Sequence, residues 1–160
     1  MDKLIHDTHE KWLQAKNYAA KRCRRSMPDV AAALDNCNMF TGEENLQELA
    51  ALMYTPQGRE FMLANRFPTL THFRKFKQYN PEQYKVFIDS GSITLNEPGD
   101  IFLIGNTTAE IYCRKTQSHN IILMHGAKAK VYASGYAVVK IETDRKSNAE
   151  TFAAQSAKIL

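Results

Sequence analysis

Five histidines, three cysteines and a few acids beside turns are the residues best equipped for chemistry in this 160-residue chain. His6 and His9 stand one helical turn apart, and with Cys23 or Cys37 they have the donor types of a zinc site. There is no CxxC, HExxH or other paired-ligand spacing, so no metal is expected. His119 and His125 bracket a strand-like run, a place where a general base can sit near an acid. The commoner use of such a histidine is structural, and no catalytic residue is assigned. GxSxG, P-loop, GxGxxG and kinase patterns are missing. No cofactor is expected, and the reading points away from an enzyme. Asp89, Glu97 and Asp100 fall near turns, where carboxylates cap loose amides. Cys23 is flanked on both sides by charges, Arg22 and Arg24, that favour a thiolate, and its place on an apolar stripe argues for a buried, inert thiol. Cys23, Cys37 and Cys113 are odd in number and widely spaced, which reads as free thiols in a reducing compartment. The N-terminal MDKLIHDTHEKWLQ has no apolar core of a signal peptide, and no run approaches a membrane span. The expected location is the cytoplasm of the host cell.

The net charge of +4 is unevenly spread: +4 over residues 1–25, −5 over 26–65, +3 over 66–90 and +2 over 91–160. The densest run is Lys21-Arg22-Cys23-Arg24-Arg25. It suits phosphates or an acidic protein face, and it also complements the C-terminal dipole of a helix. Residues 66–87 interleave Arg66, Arg74, Lys75, Lys77 and Lys85 with Phe67, Phe73, Phe76, Tyr79, Tyr84 and Phe87, a composition suited to single-stranded nucleic acid. Against that, Leu70, Phe73 and Phe76 are spaced as one buried helix face, past which cations snorkel. Lys11, Lys21, Arg22, Arg24, Arg25, Arg74, Lys75 and Lys77 are thus the expected contacts for a protein partner or a nucleic acid.

The elements that position these groups fall into two halves, a helical region over 1–80 and a β-rich region with a C-terminal tail over 81–160, expected to form one compact unit. With 44% hydrophobic residues, a chain this long buries about 70% of its unfolded surface and needs no disulfide. Ile5, Trp12, Ala19 and Cys23 share one stripe at helical spacing, opposite Lys3, Lys11, Lys21, Arg22 and Arg25, which predicts an amphipathic helix over 2–25. Helix starts are predicted at Ser26-Met-Pro-Asp29, at a Thr41–Glu44 capping box, at Thr55-Pro56 and at Pro68-Thr69. Asn80-Pro81 opens a short turn.

From residue 84 the period changes to two. Seven strand-like runs follow, at 84–88, 92–95, 100–104, 109–113, 120–124, 128–133 and 136–141, punctuated by Gly91, Pro98-Gly99, Gly105, Gly126 and Gly135. Asn106-TTAEIYC, Gly126-AKAKVYA and Ser134-GYAVVKI align with alanine at the fourth place and a β-branched residue at the sixth. Two of these units lie eight residues apart and two lie twenty apart. Small and β-branched inward positions with a turn residue at each start suit a narrow parallel coil. Three strands per turn give about two and a third turns. An antiparallel sandwich or meander is the alternative. Ile101–Ile104 and Ile121–Met124 are apolar at every position, as strands covered on both faces are.

The stretch GNTTAEIYC…HGAKAKVYASGYAVVKI resembles the G-N-A-x-V-x-A coils of short right-handed β-solenoid domains. Over residues 55–142 the chain is similar to small proteins of Bacteroidetes genomes and their mobile elements. The resemblance implies a fold, α+β with short N-terminal helices packed on or capping a C-terminal parallel β-solenoid, and no chemistry. A coil this short exposes its apolar interior and unpaired strand edges at its ends. The helices are expected to cover one end or one side. The tail over 143–160 or a second copy of the chain is expected to cover the other. The functional expectation is a non-enzymatic protein-interaction module of a phage or other mobile element, a virion-associated piece or an inhibitor of a host system. A nucleic-acid-binding accessory protein is the alternative.

Overall fold

The helical spacing of Ile5, Trp12 and Ala19 is realised as α1, Asp2–Cys23, in a computed structural model that describes all 160 residues. The chain divides into two compact units, Met1–Tyr79 and Asn80–Leu160. The first holds α1 and four shorter helices: α2 Pro28–Asp35, α3 Leu46–Tyr54, α4 Pro56–Asn65 and α5 Leu70–Arg74. Ile5, Trp12, Ala19 and Ala20 of α1 are buried. Trp12 gathers an aromatic cluster with Phe40 at 5.7 Å and Phe61 at 6.4 Å between ring centroids, and Phe61 meets Phe67 at 5.9 Å. His9 packs edge-on against Phe40 at 5.1 Å. Its ring leaves Gly42 no room for a side chain: a Cβ there would lie 3.0 Å from His9 Cγ, on a backbone with φ +90° that only glycine adopts freely.

Two helix starts differ from the sequence expectation. The capping box of α3 is Asn45 with Glu48, each accepting from the other's backbone amide. Thr41 and Glu44 instead close a turn just before it, Glu44 accepting from the amides of Thr41 and Gly42. The cap position of α2 is Met27 and not Ser26, with Pro28 at the first turn, where its missing N–H costs nothing. Thr55 and Thr69 cap α4 and α5 as their spacing predicts, accepting from the amides of Gly58 and His72.

The second unit opens with a 3₁₀ turn, Pro81–Tyr84, and winds into a parallel β-solenoid of about four turns. Nine strands alternate between two walls. The first wall is β1 Val86–Ile88, β3 Asp100–Ile104, β5 Ser118–Met124, β7 Val138–Thr143 and β9 Lys158–Ile159. The second is β2 Gly91–Asn96, β4 Thr107–Cys113, β6 Lys128–Ala133 and β8 Asn148–Ala153. Each turn therefore contains two strands, not the expected three. The first rung is offset by 16 residues (Val86 beside Phe102, Ile93 beside Ala109) and every later one by 20 (Ala109 beside Ala129 beside Ala149). The tail over 143–160 is a further rung, β8 and β9, where the sequence suggested an end cover.

Inward positions fill a dry column: Ile101, Leu103, Ile111, Ile121, Leu123, Val131 and Val139 are fully buried. Each such side chain contributes about 1.5–3 kcal/mol of burial. Along the second wall the inward residues shrink from Leu95 to Ile111, Val131 and Thr151. The first wall does the same from Leu103 through Leu123 to Thr143. Inward Thr151 and Ala153 are exposed in the last rung. The corners are fastened by side chains that reach one rung along to a backbone amide. Asp89 accepts from Asn106, Glu97 from Arg114 and Lys115, Asp144 from His125, and Gln155 from Gly135. At the Gly135 corner φ is +64°, and a Cβ would stand 2.8 Å from the Arg114 carbonyl oxygen, so the chain tolerates only glycine there.

The two walls differ outside. In the first three rungs of the first wall the outward residues Val86, Ile88, Phe102, Ile104, Ile122 and Met124 are buried. On the second wall the outward residues Ser92, Thr94, Asn96, Thr108, Glu110, Lys128, Lys130, Asn148 and Glu150 are all exposed.

Candidate functional site

The outer face of the second wall is a regular surface with exposed residues at alternate positions. Parallel in-register pairing places chemically matched residues one above another. Tyr112, Tyr132 and Phe152 form one column, stacked nearly parallel with centroids 5.1 and 4.9 Å apart and an interplanar angle of 12° in both pairs. The Arg114 guanidinium lies 4.7 Å from the Tyr112 ring centre. The stack thus reads guanidinium, ring, ring, ring, and the outer face of Phe152, which is 48% exposed, is open. Beside it runs a charge column, Glu110, Lys130 and Glu150, alternating in sign from rung to rung. The next column is Thr108, Lys128 and Asn148. None of these residues was singled out as a site from the sequence. The available signal was the spacing of twenty between three outward aromatics.

The basic residues expected to make contacts all belong to the first unit. Lys21, Arg22, Arg24 and Arg25 are exposed around the end of α1. Arg22 donates to Asn65 Oδ1 at 3.1 Å and lies over Tyr18, while Arg24 pairs with Asp35 at 3.2 Å. Lys21 and Arg25 have no ion-pair partner. Lys11 and Lys75 both approach Asp7, at 3.8 and 3.7 Å. Arg74 and Lys77 are exposed and each has a partner within the fold. The aromatics between these cations point inward: Phe73 and Phe76 are buried, and Phe67 packs on Phe61. Sequence reasoning passed over Lys16, which is buried on α1, donates to the Cys37 carbonyl at 2.8 Å and lies over the Trp12 ring.

Two buried histidines have the surroundings of catalytic groups without the freedom of them. Thr8, His72 and Asp7 follow the hydroxyl–imidazole–carboxylate order of a hydrolytic triad. Thr8 Oγ1 is 2.7 Å from His72 Nε2, and His72 Nδ1 is 3.6 Å from Asp7 Oδ2. The polarity is reversed, however. The single proton of the Thr8 hydroxyl goes to the Leu4 carbonyl at 2.6 Å, so Thr8 accepts from His72 Nε2–H and cannot give its proton to the ring. Both side chains are about 2% exposed. Burial holds the His72 pKa below the usual 6.5, against the pull of Asp7. Asp7 also lines an open concavity of about 490 Å³ with Lys3, His6, Glu10, Lys75 and Tyr79, a lining that does not include His72.

His119 occupies an inward position of β5, in register with Val139. Its Nδ1 accepts from the Gly99 amide at 3.0 Å, which places the proton of the neutral ring on Nε2. That atom faces Glu97 Oε2 at 3.4 Å. Burial again lowers the pKa, with Glu97 and Asp100 opposing. The other Glu97 oxygen is already holding the next corner. Burial pushes the Cys113 thiol up to about 11 and leaves it a thiol at neutral pH. Cys23 and Cys37 are half-buried. No three His, Cys, Asp or Glu side chains converge to hold a metal ion. No known protein family, no curated protein and no solved structure matches the chain.

Proposed function

We propose that this chain is a non-enzymatic protein-interaction module that docks partners on the outer face of the second solenoid wall. The observation that carries the reading is the in-register column of Tyr112, Tyr132 and Phe152 beside alternating charges on a rigid, exposed sheet face. Aromatic groups held in one conformation lose little entropy when they bind, and they dominate the energetics of protein interfaces. The commitment of His72 and His119 to internal partners supports the same reading. On the resemblance noted above, we place the module among the accessory proteins of phages or other mobile elements, as a virion-associated piece or an inhibitor of a host system.

The test is site-specific photocrosslinking in the native host, from Thr108 on the free wall and from Thr71 on α5. The reading expects one protein to attach from Thr108, not from Thr71, and to be lost in the Tyr132→Ala chain. Adducts equal from both positions, or none from Thr108, overturn it.

Lys21 and Arg25, exposed and without ion-pair partners, favour nucleic-acid binding as a second reading. It expects a low-salt mobility shift that weakens steeply as salt rises and disappears in the Lys21→Glu/Arg25→Glu chain. No shift at low salt removes it.

A further inference from the structure

The hairpin of α1 and α2 carries more apolar surface than it buries. Of the eight residues of α2, PDVAAALD, only Ala31 is buried. Met27, just before it, and Val30 are 49% and 45% exposed, and Ala32 and Ala33 are exposed too. At about 100° per residue, Met27, Val30 and Leu34 fall within about 60° of one another. An aliphatic flank left out in this way beside charged groups marks a docking surface. The charged groups lie within one turn of it. Tyr18, Lys21 and Arg22 stand at i, i+3 and i+4 on one exposed face of α1, and Arg25 follows. The Met27 amide donates to the Cys23 carbonyl at 2.7 Å and closes the turn between the cations and the flank. Arg24 is engaged by Asp35 and Arg22 by Asn65, whereas Lys21 and Arg25 are uncompensated. Residues 18–35 carry a net charge of +2.

We propose that this hairpin docks on an anionic lipid surface, with Met27 and Val30 entering the boundary between headgroups and acyl chains and Lys21 and Arg25 meeting the acidic headgroups. Charge complementarity selects an acidic surface. The aliphatic flank selects lipid over nucleic acid, whose bases stack on aromatic rings. Tyr18 is 65% exposed with Arg22 over its ring, and a tyrosine so placed suits the headgroup level of a bilayer. Eight residues of helix span about 12 Å, so α2 can lie on a bilayer but cannot cross its core of about 30 Å. Asp29 stands at least about 100° around α2 from Met27, Val30 and Leu34, which keeps its carboxylate out of the flank. The surface belongs to the first unit alone and does not depend on the second wall of the solenoid.

The test is co-sedimentation of the 160-residue protein with vesicles of phosphatidylcholine alone and of phosphatidylcholine with about one-third phosphatidylserine. Binding is expected only to the second, and it weakens as salt rises. Lys21→Glu/Arg25→Glu is expected to reduce it at least about tenfold, and Met27→Ser/Val30→Ser to do the same. All four side chains are exposed, so thermal melts of both double variants are expected to match wild type. No binding to the acidic vesicles overturns the proposal. So does binding that the serine variant retains, since the cations alone then suffice. A single-stranded oligonucleotide is assayed in parallel. A mobility shift that the serine variant keeps, without vesicle binding by wild type, assigns Lys21 and Arg25 to nucleic acid and overturns lipid docking. In the native host the protein at its natural length is expected in the washed membrane fraction, and the serine variant outside it. A wild-type chain absent from that fraction also overturns the proposal, because the flank is then covered by something else.

Discussion

The first and second walls of the solenoid are made by the same two-residue alternation, and they use their outer faces differently. Phe102, Ile104, Ile122 and Met124 point outward from the first wall and are fully buried, so β3 and β5 are apolar on both sides over those residues, while β7 turns Lys140 and Glu142 outward. From the second wall Thr108, Glu110, Lys128 and Lys130 point outward into solvent. The inward residues of both walls do the same work of filling a dry column. The outward residues decide which wall is core and which is surface, and only the second offers a regular, polar-aromatic face.

The sharpest way to break this comparison is to truncate outward residues on each wall. Phe102→Ala is expected to cost about 3–5 kcal/mol in urea unfolding, and Thr108→Ala to change stability by less than about 0.5 kcal/mol. Equal effects would erase the distinction. Along the second wall the inward taper predicts a gradient: Ile111→Ala costs about 2–5 kcal/mol, while Thr151→Ala, already exposed, costs less than about 1 kcal/mol. Tyr132 stacks on two neighbours and Phe152 on one. Their alanine variants are expected to lose about 1–3 and about 0.5–1.5 kcal/mol respectively, each stacked pair contributing about 0.5–1.5. Lys130→Glu sets three acids in one column and is expected to cost about 0.2–1 kcal/mol per pair, an effect that shrinks as salt is added.

A pH titration sharpens the contrast between the buried interior and the open face. The folded protein holds His72 and His119 below 6.5, chiefly by burial. The unfolded chain therefore takes up protons at a higher pH than the folded one does. Their contribution is complete above pH 6.5 and is lost as pH falls through that value toward the folded pKa values. Urea midpoints at about pH 7.5 and about pH 5.5 should differ in this direction, with a smaller difference in the His119→Gln chain. An unchanged difference would show that His119 carries no part of it.

Much of the architecture was legible because inward alternation survives in sequence. The parallel coil followed from Ala109, Ala129 and Ala137 and from Ile111, Val131 and Val139. The number of strands per turn did not. Any even shift preserves an alternation of period two, so a spacing of eight, which carries β6 into β7 on the opposite wall, looks as regular as the true rung of twenty. The last rung was missed because Ala149, Thr151 and Ala153 are too small and polar to read as a buried strand. The stretch 66–87 mixes basic and aromatic residues, and the helical spacing of Leu70, Phe73 and Phe76 already marked Phe73 and Phe76 as inward, where the structure buries them. The Thr8–His72 contact joins residues 64 positions apart, and no local pattern announces it. Lys16 sits among apolar neighbours that a charge usually avoids, and its partner, the Cys37 carbonyl, is a backbone atom with no side-chain signature.

The unequal ends of the coil have a consequence for solubility. The first rung of the second wall presents Ile93, Leu95 and Asn96, and the last presents Ala149, Thr151 and Phe152. A copy laid head to tail on another would seat leucine over threonine and asparagine over phenylalanine. Amyloid-like growth draws its strength from identical residues meeting identical residues at every junction. Here the junction is mismatched in size and polarity, so the taper works as a brake on end-to-end stacking of the solenoid unit.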